Sequence, residues 1–187
     1  MKKTIFIVLA AAGLFICSCS QVFAAEKKQS IVLLIAEQNI EGPQRAWWAS
    51  EIDLSTTEAR LVSKLTAEGY DILEPAVMAD TIKKEPAFRQ VNLSEQDSIK
   101  LGNLSQADYV IIGKAVASAG GTVPQSTMRS CFANLTAKLI NIKEGKVAAY
   151  LESSGNSVHP DVITGGKEAL VNAADDLAQK LVDALKQ

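Results

Sequence analysis

The sequence has few of the residues from which metal sites are built. It contains one histidine, His159, and three cysteines, of which Cys17 and Cys19 lie close to the amino terminus. Cys131 is therefore the single thiol of the remaining chain and has no partner for an internal disulfide. A zinc site normally needs three or four Cys, His or carboxylate ligands. We accordingly predict no metal and no cofactor.

Nucleophilic catalysis is not indicated either. The chain has no Gly-x-Ser-x-Gly elbow of the kind that presents a catalytic serine. Cys131 and His159 are the residue types of a thiol nucleophile pair. However, Cys131 falls within a strand on an Ala/Leu face, which is typical of a buried, inert thiol. His159 precedes Pro160, and we interpret it as a turn residue at the start of a helix. The sequence therefore predicts that the protein is not an enzyme.

Aromatic residues and excess charge are also scarce. Phe, Trp and Tyr make up 5% of the chain, and the formal net charge is −2. No basic stripe is present, so nucleic acid is not a predicted partner. No segment reaches the eighteen apolar residues that indicate a membrane-spanning helix.

The amino terminus has the pattern of a bacterial signal sequence. Lys2 and Lys3 precede an uncharged apolar run over residues 5–16. Twelve residues are too few to cross a bilayer about 30 Å thick, but they match the apolar region of a signal peptide. Cleavage after Ala24, at a small-x-small site, would leave a chain that begins at Ala25.

A second processing route is compatible with the same segment. Residues 16–19 read Ile-Cys-Ser-Cys and resemble a lipobox, in which Cys19 would carry the lipid. The multiply acylated cysteine of a lipoprotein anchors firmly, whereas one acyl chain binds weakly. The two routes predict either a periplasmic protein or an outer-membrane lipoprotein that faces the periplasm. The lipid on Cys19 in the second route is the sole membrane attachment predicted.

Residues 1–24 are thus predicted to be a signal peptide and residues 25–187 a single envelope domain. The 163 residues of that domain are close to the usual domain size. A chain of this length can bury about two thirds of the surface that it exposes when unfolded. With no disulfide available, the domain has to be held together by its core.

The first half of the domain alternates between strands and helices. Residues 30–36 are wholly apolar and predict a strand buried on both faces. A polar loop over 37–53 leads to a helix for which Ser55 and Glu58 form a capping box, and Gly69 ends this helix. Further elements are predicted as a strand at 70–73 and helices at 75–84 and 94–104.

The second half is dominated by strands and closes with a helix. We predict strands at 108–118, 129–142 and 147–153, with a flexible loop at 120–124 and a hairpin turn at 143–146. In the second of these strands, Phe132, Asn134, Thr136, Lys138 and Ile140 share the face opposite Cys131. Apolar residues at three and four spacings predict a long helix over 160–186. The order is β-α-β-α-α-β-β-β-α, an α/β fold with a single mixed-sheet domain and helices packed on the sheet. The crossover helix predicts that the first two strands are parallel, and we expect the last three strands to form an antiparallel meander.

Two segments resemble a group of small bacterial envelope modules. Residues 55–73 are similar to their helix followed by a strand, and residues 106–114 resemble their A-D-Y-V-I-x-G strand. The modules are the middle domain of flagellar assembly protein T, the CsgG-like curli lipoproteins, the penicillin-binding-protein activator LpoB and the amino-terminal domain of TolB. The resemblance covers residues 30–187, mainly through element order. It implies a non-catalytic assembly or activator module.

The pair Trp47-Trp48 is the most unusual local feature of the loop at 37–53. One interpretation is that a ring caps the core, and the other is that at least one ring is an exposed anchor, as Trp often is in interfaces. We favour Trp48 as the exposed ring, with Glu37, Gln44 and Arg45 as a polar rim.

The predicted function is that of a cell-envelope accessory protein, an assembly or activator module that acts by protein–protein contact. The resemblance suggests a flagellar or outer-membrane system, and the predicted partners are envelope proteins. The alternative is a periplasmic protein that binds a small ligand or a glycan through the same tryptophan loop. A pocket would favour the alternative, whereas a flat apolar patch would favour protein contact. The oligomeric state stays open.

Overall fold

The computed structural model describes residues 28–41, 44–46, 48, 54–74, 78–90 and 93–186. Within these residues the strands are β1 (Ser30–Gln38), β2 (Asp71–Leu73), β3 (Tyr109–Thr122), β4 (Arg129–Asn141) and β5 (Lys146–His159). The helices are α1 (Thr56–Ala67), α2 (Ala79–Lys84), α3 (Glu95–Leu104) and α4 (Val162–Leu185), with a 3₁₀ turn at Pro86–Phe88. The predicted α/β class and order of strands and α-helices are confirmed; the 3₁₀ turn was not predicted.

All five strands form one mixed sheet in the order β2-β1-β3-β4-β5. β1 lies between β2 and β3 and is parallel to both, while β3, β4 and β5 form an antiparallel meander. The parallel pair and the meander are as predicted. The placement of β3 beside β1 was not predicted, and it makes β1 a central strand. All seven interior residues of β1 are buried. Six of them, residues 31–36, are the apolar run predicted to be buried on both faces, and the seventh is Glu37.

Helix α1 begins at the predicted capping box. The Ser55 hydroxyl accepts the backbone N–H of Glu58 at 3.2 Å, and the Glu58 carboxylate accepts the backbone N–H of Ser55 at 3.0 Å. The two residues thereby satisfy donors that a helix start leaves unpaired. Gly69 follows the helix with φ +96°, a left-handed conformation that glycine adopts without steric cost.

One side of the sheet is covered along its length by α1 and α4. Helix α4 contributes the continuous apolar stripe predicted from the sequence, and Leu170, Leu177 and Leu181 are fully buried in it. Every second residue of β1, β3 and β4 faces this stripe. The strand and α1 members of this first core include Ile31, Leu33, Ile35, Leu61, Leu65, Ile111, Cys131, Leu135 and Leu139.

The opposite side of the sheet is covered only in part. A second core lies under α2, the 3₁₀ turn and α3, against β1 and the adjoining ends of β3 and β4. Phe88 and Leu101 are fully buried there. The members are Val32, Leu34, Met78, Ile82, Phe88, Leu93, Leu101, Ala107, Val110, Ile112, Ile140 and Ile142.

The meander strands extend further than their apolar residues indicated. β3 continues through Gly120 and Gly121 to Thr122, so the predicted loop at 120–124 is largely strand. β5 was expected to stop at Ser153 but pairs with β4 as far as His159. Both extensions are polar or small in sequence, and ladder hydrogen bonds to β4 hold them in the sheet. Helix α2 begins later than predicted, at Ala79, and residues 75–77 lie outside the described part of the chain.

Candidate functional site

Two polar residues of the predicted tryptophan-loop site have roles inside the fold. Glu37 is 8% exposed, and its carboxylate accepts the backbone N–H groups of Thr56 and Thr57 at 3.3 and 2.7 Å. Glu37 and Arg45 pair through their backbones, with N···O distances of 2.9 and 2.6 Å. The Arg45 guanidinium also donates to the carbonyl of Leu54 at 3.5 Å. The Glu37 carboxylate therefore stabilises the start of α1, since a negative charge is favourable there.

The aromatic part of that site is only partly described. Trp48 is half-buried and packs against the second core, and Gln44 is also half-buried. Trp47 and the predicted lipidation residue Cys19 lie outside the described residues. A contact role for this loop therefore stays a prediction.

Glu58 is a second buried carboxylate at the same helix start. It is 4% exposed, and besides the Ser55 N–H it accepts the N–H of Ile35 at 3.3 Å. Burial raises its pKa, against the opposing effect of these hydrogen bonds and the charge of Arg45. The two carboxylates join β1 to α1, which is a structural role.

The contacts of Cys131 and His159 also indicate structural roles. Cys131 is fully buried in the first core, as predicted for an inert thiol. His159 is the last residue of β5 and not part of a turn as predicted, and its Nδ1 atom accepts the backbone N–H of Asp161 at 3.0 Å. Asp161 caps α4 by accepting the N–H and the hydroxyl of Thr164 at 2.8 and 2.7 Å, and these bonds lower its pKa.

A larger feature is the part of the sheet that no described helix covers. Beyond Ile112 and Lys138, the alternate residues of β3, β4 and β5 that point away from α4 are exposed or half-buried. The strand register arranges them in rows that cross the three strands. We call this surface the open face. Its rows are Lys114, Thr136 and Glu152; Val116, Asn134 and Ser154; Ser118, Phe132 and Asn156; and Ser130 with Val158.

Charge is confined to one end of the open face. The first row contains Lys114 and Glu152, separated by Thr136 on β4, and we call it the charged row. The other three rows contain only neutral side chains, although charged residues make up 21% of the chain. Phe132 and Val158 are 46% and 51% exposed in these neutral rows. A neutral surface with exposed large apolar groups is typical of an interaction site.

A groove of about 340 Å³ borders the charged row on the side of α3. At this border Glu95 of α3 accepts hydrogen bonds from the Lys138 ammonium at 3.1 Å and the Tyr150 hydroxyl at 3.2 Å. The bond from Lys138 is the main cause that lowers the pKa of Glu95. The Lys138 nitrogen also lies 5.4 Å from the centre of the Tyr150 ring, and Tyr150 is 67% exposed. These contacts hold a large aromatic ring at the edge of the open face.

A second, shallow hollow of about 460 Å³ lies among the neutral rows. Phe132 contributes an aromatic surface to it, and Asn134 and Asn156 contribute amide groups that can both donate and accept hydrogen bonds. Ser118 and Ser154 add hydroxyl groups at its sides. The hollow can therefore contact either apolar or polar uncharged groups.

The free edge of β5 is a less suitable docking site than the open face. An unpaired edge strand can bind another strand through its backbone groups. Here two carbonyls on that edge are occupied by α4, because Lys180 donates to Glu152 O and Asn172 donates to Asn156 O, both at 2.8 Å. These bonds obstruct strand addition over the middle of β5, which leaves the side chains of the open face for contact.

Sequence reasoning placed part of this surface on a common face but did not identify it as a site. Phe132, Asn134 and Thr136 were predicted to share the face of β4 opposite Cys131, and the structure confirms this alternation. What was missing was the extent of helix coverage. A run of neutral side chains that alternate along β4 and β5 was the available signal.

Neither a metal-binding cluster nor a membrane-spanning helix is found among the described residues. Within them, no group of three or more His, Cys, Asp and Glu side chains converges as a metal site. None of the helices in the described ranges is long and apolar enough to cross a bilayer.

Comparisons with known proteins give similarities to solved structures alone. No protein-family model matches the sequence, and no curated protein matches it significantly. The lipoprotein GNA1162 from Neisseria meningitidis is 18% identical with a TM-score of 0.45, over 84% of this chain and 98% of that chain. A PelC dodecamer from Paraburkholderia phytofirmans is 17% identical with a TM-score of 0.42, over 84% and 88%.

The LpoB carboxy-terminal domain from Escherichia coli is 11% identical with a TM-score of 0.40, over 67% of this chain and 81% of that chain. LpoB was one of the proteins that the sequence resembles. The resemblances to flagellar assembly protein T, the curli lipoproteins and TolB stay predictions. Because each of these TM-scores is below 0.5, neither activity nor partner is transferred from these structures to this chain.

Proposed function

We propose that this protein is a non-enzymatic accessory module of the bacterial cell envelope that acts by protein–protein contact through the open face. The observation that supports the proposal is a surface that no described helix covers, with three neutral rows and with Phe132, Tyr150 and Val158 exposed on or beside it. The export signal predicted at residues 1–24 supports the envelope location. Attachment through Cys19, or release after Ala24, belongs to the same proposal.

The composition of the open face supports contact with a folded protein. Its exposed aromatic rings, Phe132 and Tyr150, are of the type that provides anchors in interfaces. Ser, Thr and Asn side chains between them provide hydrogen bonds without the cost of burying a charge. The face is carried by a regular sheet whose other side is packed on α1 and α4, so the anchors are held on a rigid support.

The proposal is tested by changing the anchor without changing the fold. Phe132→Ser should fold normally because the ring is 46% exposed. It should also lose the envelope proteins that co-purify with the wild-type chain after cross-linking in intact cells. Ile163→Ser is a matched control, since Ile163 is 40% exposed but belongs to α4, outside the open face.

Mass spectrometry of the cross-linked material identifies the proteins that each variant retains. We expect Phe132→Ser to lose specific proteins that Ile163→Ser keeps, with both variants unfolding at the wild-type urea concentration. Equal retention by the two variants would contradict a contact role for the open face.

The hollow around Phe132 favours one further candidate, the binding of a small uncharged ligand or a glycan. Asn134, Asn156 and Ser154 could hydrogen-bond sugar hydroxyl and amide groups while the aromatic ring supports their apolar face. Co-sedimentation with purified peptidoglycan tests this candidate. Binding that Phe132→Ser abolishes and Ile163→Ser retains would favour it over protein contact.

A further inference from the structure

We propose that the groove between α3 and the charged row binds a small zwitterion, an α-amino acid with an apolar side chain. The carboxylate of the amino acid pairs with Lys114 and its ammonium group pairs with Glu152. This inference goes beyond the proposed function, because it assigns a ligand to the groove and does not require the neutral rows to bind a protein. It is carried by two opposite charges that line the groove together with apolar side chains.

The groove is lined by one cation and one anion that have no ion-pair partner among the described residues. Lys114 of β3 and Glu152 of β5 both line it, and both are exposed. A second cation of the groove, Lys138, is already paired with Glu95 at 3.1 Å. A ligand that carries both charges is therefore complementary to Lys114 and Glu152, whereas a ligand with a single charge leaves one of them without a partner.

The spacing of the two charges fits an α-amino acid. The register places Lys114, Thr136 and Glu152 in one row across three adjacent strands. Two strand spacings put the backbones of Lys114 and Glu152 about 10 Å apart, and side chains stand roughly perpendicular to a sheet. Charge-assisted hydrogen bonds of about 2.8 Å at both ends leave about 4 Å between the charged groups of the ligand. The ammonium and carboxylate of an α-amino acid are joined through one carbon atom and lie at nearly this distance.

The walls of the groove fit an apolar side chain. Leu93 and Ile112 provide aliphatic surface, and the Tyr150 ring, whose hydroxyl donates to Glu95, provides an aromatic surface. The Thr136 hydroxyl lies in the row between the two charges, where it can donate or accept a hydrogen bond. The volume of about 340 Å³ is within the range of small-molecule sites. An amino acid can therefore place its side chain against the walls while its charged groups reach the row.

Three related ligands test the inference on the chain purified in the form that its cells accumulate. The probes are L-phenylalanine, its N-acetyl derivative, which lacks the ammonium group, and its amide, which lacks the carboxylate. Changes in the amide NMR signals of the isotopically labelled chain measure the affinity of each probe. Phenylalanine should bind with a dissociation constant of about 1 mM or below. Each derivative should bind at least about fivefold more weakly, because it loses one charge-assisted hydrogen bond.

Lys114→Met and Glu152→Gln remove one charge each and separate the two pairings. Lys114→Met should lose the preference for phenylalanine over the amide and keep the preference over the N-acetyl derivative. Glu152→Gln should lose the preference over the N-acetyl derivative and keep the preference over the amide. A variant that weakens all three probes to the same extent would contradict these pairings.

Lys167→Met and Glu168→Gln are matched controls on the exposed surface of α4, and they should bind all three probes as the wild type does. Urea denaturation of each variant establishes that it is folded. A wild type that does not bind phenylalanine at up to about 20 mM would overturn the inference.

Phe132→Ser distinguishes the groove from the hollow among the neutral rows. Phe132 lines the hollow and not the groove, so this variant should bind phenylalanine with the wild-type affinity. Loss of binding would place the amino acid in the hollow and would also overturn the inference. If phenylalanine does not bind while Phe132→Ser still loses a specific envelope protein, the groove inference is wrong and the proposed function stands.

Discussion

Gly155 lies where β5 passes close to the backbone of α4, and its substitution is the sharpest test of the packing. A methyl group at this position would collide with the carbonyl oxygen of Ala169 and the amide nitrogen of Ala173. Two residues away, the Ser153 hydroxyl donates to the carbonyl of Ala173 at 2.9 Å. The backbone of α4 thus rests directly on the strand at this point.

The expected cost of Gly155→Ala follows from which atoms would have to move. Over-packing typically costs about 1–3 kcal/mol when neighbouring side chains can rearrange. Here the obstructing atoms belong to the helix backbone, so α4 itself has to shift. A shift would loosen the fully buried contacts of Leu170 and Leu177. We therefore expect a loss near the upper end of that range, about 3 kcal/mol of unfolding free energy.

Urea denaturation followed by circular dichroism measures this loss. Gly121→Ala is a matched control, because a methyl group at Gly121 meets nothing within 4 Å, and it should change stability by less than about 0.5 kcal/mol. If Gly155→Ala is no more destabilising than Gly121→Ala, then α4 does not contact β5 as described.

Other predictions concern α4, the start of α1 and the buried or paired carboxylates. Leu177→Ala should lower the free energy of unfolding by about 2–5 kcal/mol because it opens a core cavity. Ser55→Ala should lower it by about 0.5–2 kcal/mol because it removes a helix cap. If urea denaturation gives the reverse order, the packing of α4 is not as described. The hydrogen bond from Arg60 lowers the pKa of Asp175 in the folded protein. The ionised carboxylate therefore stabilises the fold above its ordinary pKa, and this contribution should be lost as the pH falls through the lowered pKa. Asp175→Asn should therefore be less stable than wild type at pH 7, and the unfolding midpoints of the two proteins should converge as the pH falls through the lowered pKa of Asp175. Burial raises the pKa of Glu58, so this residue should add stability as pH falls through the raised value, and Glu58→Gln should lack that gain in the same titration.

Local interactions made several elements predictable. The Ser55–Glu58 capping box joins residues three apart, and its two hydrogen bonds form with the geometry that the motif implies. The apolar run in β1 required burial on both faces, and the alternation along β4 required one buried face. In each case the interacting residues, or the apolar pattern that predicts their burial, lie within a short window of the chain.

The candidate site was less predictable because it depends on long-range placement. Glu37 was expected at the rim of an exposed loop, but its carboxylate reaches the N–H of Thr57, twenty residues further along the chain. Phe132 was placed on the correct face of β4, but only the structure shows that α2 and α3 cover the other end of that face and stop short of Phe132. Side-chain chemistry alone does not distinguish an uncovered strand face from a covered one.

The sequence by itself determined which segments form strands and helices, where α1 begins and which residues of β4 and α4 are buried. Tertiary structure alone decided that β3 pairs with β1, that α4 rests on Gly155, and that no described helix covers one face of β3, β4 and β5 over much of its length. The physical reason is that periodicity and capping arise from neighbours in the chain, whereas coverage depends on how segments far apart in sequence pack together.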